Sequence, residues 1–131
     1  VIVLDASAAV EVLLHTAAGA PLAERLLAAT SSSLHAPHLL DVEVAQVLRR
    51  FVTRGELDSG RAQQALAFLG AFPIERHTHD LLLPRIWALR ANLTAYDAAY
   101  VALAELLDAT LITRDARLLR APGHSARVEV I

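Results

Sequence analysis

Apolar positions along the chain alternate between short β-branched runs and longer stretches at helical spacing, and the two kinds take turns. Val1 to Leu4 is an uninterrupted apolar run closed by Asp5. It is too short for a helix and lacks alternation, which suits a strand buried on both faces of a parallel sheet. Val10, Leu13 and Leu14 then predict a helix, Gly19 and Pro21 punctuate, and Leu22, Leu26 and Leu27 mark a second helix up to Ala29. After a polar loop over Thr30 to Ser33, Leu34 to Ala36 predicts a strand. Pro37 opens a long helix carrying Leu40, Val44, Val47, Leu48 and Phe51, which Arg54 and Gly55 end.

The second half repeats the alternation. Leu57 to Leu69 predicts a helix and Phe72 to Glu75 a strand. A helix carrying Leu82, Leu83, Ile86, Trp87 and Leu89 is expected from His77 to Asp80, with Pro84 kinking it or moving its start. Thr94 stands three residues before Asp97, the spacing of a capping box, so a helix is predicted from there through Ala98, Val101, Ala102 and Glu105. Ala109 to Thr113 and Arg127 to Ile131 read as the last two strands, the final one at an edge. Five strands alternating with helices predict one α/β domain over 1–131, a mostly parallel sheet in doubly wound order between helical layers.

This order sends particular acids to one rim. The helix from Asp97 to Leu107 and the strand from Ala109 to Thr113 each span roughly 16 Å. An antiparallel return therefore brings Asp97 and Asp115 to the same end of the unit. Asp5 ends the first strand beside a helix start, and Glu43 lies about 8 Å along its helix from Pro37. Each acid alone is accounted for as a cap or a first-turn carboxylate, with Asp41 better placed than Glu43 for that role. Together, Asp5, Glu43, Asp97 and Asp115 converge on the carboxyl ends of the central strands. Two carboxylates about 4 Å apart repel by roughly 4 kcal/mol at an effective dielectric of 20, so protons or a hard cation must compensate. All-oxygen ligation suits Mg²⁺ or Mn²⁺.

Composition narrows the chemistry. The chain of 131 residues contains no cysteine, which excludes a thiol nucleophile, a disulfide and Cys-ligated zinc. All twelve basic residues are arginine, so a P-loop lysine and Schiff-base chemistry are excluded too. No apolar run approaches the ~20 residues of a membrane span, and we expect a soluble, cytoplasmic protein. The absence of methionine leads us to expect at least one residue before Val1. His77 and His79, two apart on an expected helix, point away from each other and do not predict zinc. Aromatic residues are too few for a base-stacking platform, and Tyr100 is assigned to core packing with most of the others.

The segments VIVLDASA, PHLLDVEVAQVL, LTAYDAAYVALAE and LITRDARL resemble, in order and at the usual length, the successive motifs of PIN-domain ribonucleases, in particular VapC-type toxins of toxin–antitoxin pairs. The resemblance implies a PIN-like three-layer α/β/α fold. It also implies an Mg²⁺- or Mn²⁺-dependent endoribonuclease acting on structured RNA such as tRNA or rRNA, a homodimer, and neutralisation by a VapB-type antitoxin. It further implies Asp5, Glu43, Asp97 and Asp115 as the metal-binding set, with Thr113 and Ser7 as supporting hydroxyls. Gln46 stands where similar proteins often carry Asn.

Removing the four acids leaves ten acidic residues against twelve arginines, and Arg114, Arg117 and Arg120 cluster beside Asp115, where RNA phosphates would pass. The same three arginines also read as an ordinary solvated helix face. The alternative function is a PIN-like module that binds RNA or protein without cleavage; a DNA-directed nuclease would be expected to carry basic insertions that this chain lacks. Val10, Leu13, Leu14, Leu22, Leu26 and Leu27 exceed what one face of a small sheet needs, and an apolar groove for the antitoxin is expected there.

Overall fold

Strand β1 (Ile2–Leu4) lies at the centre of a parallel sheet with the order β3-β2-β1-β4-β5. Its neighbours are β2 (Leu34–Pro37) and β4 (Thr110–Thr113), and the edges are β3 (Ile74–His77) and β5 (Arg127–Val130). The helices between them are α1 (Ala6–Leu13), α2 (Ala20–Ala28), α3 (Leu39–Thr53), α4 (Ser59–Ala71), α5 (Leu83–Ala88), α6 (Ala95–Leu107) and α7 (Ala116–Arg120). This computed structural model describes residues 1–28 and 33–131. The loop expected over Thr30 to Ser33 thus lies outside the described residues except for Ser33.

Chain order and strand order together determine the layers. From β1 the chain steps outward to β2 and β3, then returns past β1 to β4 and β5. Parallel crossovers are right-handed in nearly all proteins. The two directions of travel therefore set α1 to α4 on one face and α5 to α7 on the other, the three-layer arrangement expected. Contacts agree: α1, α3 and α4 touch one another, whereas α5 packs on α6. The order reverses between β1 and β4, and such a switch point opens a crevice at the carboxyl ends of the strands.

The core is built on Val3, Leu4, Leu111 and Ile112, none more than 2 % exposed. Helix α6 is buried continuously from Ala98 to Ala104, and its small side chains let it lie close against β1, β2 and β4. Gly19 serves the opposite face: a Cβ there would stand 2.4 Å from the Glu11 carbonyl, so α2 can follow α1 this closely only without a side chain.

Three expectations are corrected. Pro37 closes β2 instead of opening α3; pairing with β1 stops at His35, so its missing N–H breaks no bond to the central strand. The third strand begins two residues later than predicted, because Phe72 caps α4 and the ladder starts after Pro73. In consequence His77 belongs to a strand, and the following helix starts only at Leu83, with Pro84 in its first turn. Among the described residues, the apolar N-terminal helices turn most of their large side chains inward. Val10, Leu13 and Leu22 are buried, Leu14 and Leu26 pack against the core, and only Leu27 of the six is strongly exposed.

Candidate active site at the switch point

The ends of β1 and β4 are tied together by hydroxyl groups. Asp5 is both the N-cap of α1 and the end of β1: its Oδ1 accepts from the Ala8 amide at 3.0 Å and from Ser7 Oγ at 2.6 Å. Thr113, fully buried at the end of β4, donates its hydroxyl to Asp5 Oδ2 and accepts from the Asp115 amide at 3.0 Å. Ser7 Oγ in turn accepts from the Arg114 amide at 2.9 Å. The capping role of Asp5 and its place in the crevice therefore coexist.

Asp97 comes from the first turn of α6, where Thr94 caps the helix by accepting the Asp97 amide at 3.1 Å, the bond its spacing predicts. Glu43 comes from α3 and its Oε1 accepts from the Tyr100 hydroxyl at 2.7 Å. Asp115 caps α7 through the Arg117 amide, and the Arg117 guanidinium grips the same carboxylate, with Nη2 to Oδ2 at 2.6 Å. All four acids line one cleft of about 250 Å³, together with Ala6, Ser7, Gln46, Val47, Arg50 and Tyr100.

Burial raises the carboxyl pKa of Asp5, Glu43 and Asp97 above the usual range, and mutual repulsion adds to it. At Asp5 the three hydrogen bonds only partly offset burial. Asp115 behaves oppositely, because the Arg117 guanidinium holds it below the usual range. Tyr100 is pushed far up by burial and then by Glu43, so its phenol keeps its proton and remains a donor. The cleft thus concentrates oxygen donors whose ionisation is opposed by burial and by one another. A hard cation relieves that opposition, and the donor set fits one.

Tyr100 and Arg50 are polar lining residues that sequence reasoning did not place here, and Gln46 entered only through the family resemblance. Helical spacing contains the signal: Tyr100 is three positions after Asp97, Gln46 three after Glu43 and Arg50 seven after Glu43. Asp41 stays out of the cleft and pairs with Arg76, with contacts of 2.7 and 2.9 Å. The arginines after β4 diverge. Arg117 is exposed and pairs with the Asp115 carboxylate, the Arg114 guanidinium binds the Ile131 carbonyl, and Arg120 is exposed at the end of α7.

The model of the PIN domain matches residues 2–124. The chain belongs to the PIN-domain family. Its relatives within that family include ribonuclease VapC9 of Mycobacterium tuberculosis, 45% identical over 117 residues, covering 89% of this chain and 87% of the relative. Ribonuclease VapC1 of the same organism is 42% identical over 130 residues, covering 98% and 96%. Among solved structures, VapBC2 from Rickettsia felis, bound to a DNA fragment from its promoter, aligns with a TM-score of 0.73 over 99% of this chain and 98% of that one, at 15% identity. VapC20 of M. tuberculosis, a sarcin–ricin-loop-cleaving toxin, aligns with a TM-score of 0.69 at 16% identity, covering 95% and 97%. At those identities the structural likeness shows the PIN fold, which the five parallel strands reproduce.

Proposed function

We propose that this PIN domain is an endoribonuclease toxin dependent on Mg²⁺ or Mn²⁺, and that a VapB-type antitoxin neutralises it. The observation that carries the reading is the convergence of Asp5, Glu43, Asp97 and Asp115, from four separate segments, on one cleft at the sheet's switch point. Identity above 40% to proteins named VapC ribonucleases supports the same reaction class.

In this reading the four carboxylates hold the cation, which when bound would polarise a phosphodiester and activate water for in-line attack. The chain's own groups do the positioning. Thr113 and Ser7 fix the Asp5 carboxylate, and Tyr100 fixes Glu43. Arg117, which pairs with Asp115, would be free to bind a phosphate oxygen of the RNA where Asp115 serves as a cation ligand, an exchange of one anion for another. Arg50 lines the cleft and supplies a second positive charge along the strand, with Arg120 farther along α7. Arg114 contributes chiefly through its amide, which holds Ser7.

The partners proposed are those that the resemblance to VapC-type toxins implies. The substrate is structured RNA such as tRNA or rRNA, the place of action is the cytoplasm, and the toxin is a homodimer. Neutralisation requires an antitoxin segment that reaches the acidic cleft with a basic side chain. No described helix is long and apolar enough to cross a membrane.

The test is incubation of the purified chain with total cellular RNA, with and without Mg²⁺ or Mn²⁺, followed by sequencing of the new ends. Discrete cation-dependent cuts that disappear in Asp97→Asn are expected. Intact RNA under all conditions would leave a binding module without cleavage.

A further inference from the structure

Three potential ligands meet on the sheet away from the acidic cleft. Parallel pairing of β2 with β3 sets His35 opposite Glu75 and Pro37 opposite His77. Residues two apart on a strand share a face, so His35, Glu75 and His77 project from the same side. It is the side that carries α5 and α6, because His35 is in register with Val3, whereas Leu4 lines a cavity with α1 residues. His35 Nδ1 lies 2.8 Å from His77 Nε2 and 3.6 Å from Glu75 Oε2, and one donor atom from each residue falls within 4.8 Å of the others.

The surroundings orient the rings. His35 is buried, and its other nitrogen, Nε2, meets Ser33 Oγ at 2.7 Å. Donation from Nε2 to that hydroxyl leaves the Nδ1 lone pair facing His77, an arrangement in which a ligating imidazole is held by an oxygen behind it. Two ring nitrogens 2.8 Å apart share one hydrogen-bonding proton between them. An ion can take that proton's place, with the His77 proton moving to its own Nδ1, so that neither ring changes charge.

We propose that His35, Glu75 and His77 form a site for a borderline divalent ion, Zn²⁺ by preference, that staples edge strand β3 to β2. Two imidazoles and one carboxylate are a zinc ligand set, and a water molecule completes the tetrahedron. Zinc–nitrogen bonds at tetrahedral angles set the two nitrogens about 3.3 Å apart, which a small rotation of the half-buried His77 ring supplies. The Glu75 side chain is 68% exposed and swings in without cost to the core. The site differs from the acidic cleft in kind: nitrogen donors select Zn²⁺ over Mg²⁺. Its sequence signal was hidden because a helix was expected at His77, and because His35 is 42 positions distant. His79, two residues on, is not part of the cluster and accepts from the Leu39 amide at 3.1 Å.

The test is Zn²⁺ calorimetry on the full chain in excess Mg²⁺, which fills any all-oxygen site without competing for imidazole. One equivalent of Zn²⁺ should bind at micromolar concentration or below and raise Tm. His77→Gln should weaken binding about 100-fold or more, and Glu75→Gln, a surface change that spares the fold, about 10-fold or more. Co²⁺ in place of Zn²⁺ should give the strong visible absorption of a tetrahedral site in the parent chain and lose it in His77→Gln. No uptake by the parent chain overturns the site, as does equal affinity in both variants.

Discussion

Thr113 and Asp5, 108 positions apart in the chain, are joined by a hydrogen bond from a fully buried hydroxyl to a carboxylate at the point where the sheet order reverses. The bond connects the two central strands and orients the first acid of the cleft. The same hydroxyl accepts the Asp115 amide, so one atom organises two of the four carboxylates.

Thr113→Val keeps the shape and removes that atom. It leaves the Asp115 amide without its acceptor and Asp5 with one donor fewer. Stability should fall by about 1–3 kcal/mol, the cost of an unsatisfied buried group. Cleavage should fall by about tenfold or more, and Thr113→Ser should restore most of both. Denaturant melts and initial rates on a defined RNA measure this; full activity in the valine variant would remove Thr113 from the supporting role.

For the acids themselves, Asp97→Asn should abolish cleavage while leaving the cation-free protein as stable or more so, because one source of repulsion toward Asp5 and Glu43 is gone. Mg²⁺ or Mn²⁺ should raise Tm in the parent chain and much less in the variant. On α3 the contrast is between faces: Glu43→Gln should lose activity, whereas Asp41→Asn should retain it and instead lose stability through Arg76. Equal damage to activity from both would assign the wrong helix face to the cleft.

How much of this was legible depends on the range of the signal. Asp97 and Thr94 are three residues apart, and one helical turn carries the inference from spacing to cap to cleft. Asp5 could be placed because it ends a run of buried apolar residues, and Asp115 because the helix and strand that follow Asp97 match in length; strand ends at a switch point are crevice positions. The Tyr100 bond to Glu43 was not legible, since it joins two helices whose approach depends on how tightly the alanines of α6 let it settle. The position of β3 was missed for a local reason: Phe72 and Ile74 are equally apolar, and only the end of α4 decides between them. That two-residue difference moved His77 from an expected helix into the sheet.

Arg117 holds Asp115 with a two-pronged contact, so it competes with any cation for that carboxylate. Arg117→Ala should let the Asp115 pKa rise toward the ordinary range and lower the Mn²⁺ concentration needed for half-maximal cleavage. If the guanidinium also binds the RNA backbone, KM for RNA should rise in the same variant. The two parameters therefore move in opposite senses, toward tighter cation and weaker RNA. A variant with both unchanged would make Arg117 a solvated residue of α7 and nothing more.

Glu105 offers a stability measurement independent of the cleft. Its carboxylate accepts from Arg85 Nε at 2.7 Å, Arg85 Nη2 at 3.0 Å and the Ser125 amide at 2.8 Å, so it fastens α5 and the segment before β5 onto α6. Arg85, first among the causes, lowers the Glu105 pKa below its ordinary 4.5. A depressed folded-state pKa means that the unfolded chain takes up its proton first as acid is added. The contribution is therefore complete above pH 4.5 and is lost as pH falls through that value toward the lower folded-state pKa. Arg85 is 41% exposed, so water screens the pair, and Glu105→Gln should cost about 1 kcal/mol at neutral pH. For a domain of this size that is a drop of about 4 °C in Tm. The gap between parent and variant should narrow steadily on acidification below pH 4.5. Melting curves across that range decide the matter: a gap that stays constant would mean that the charge of Glu105 contributes nothing and that the variant loses stability through packing.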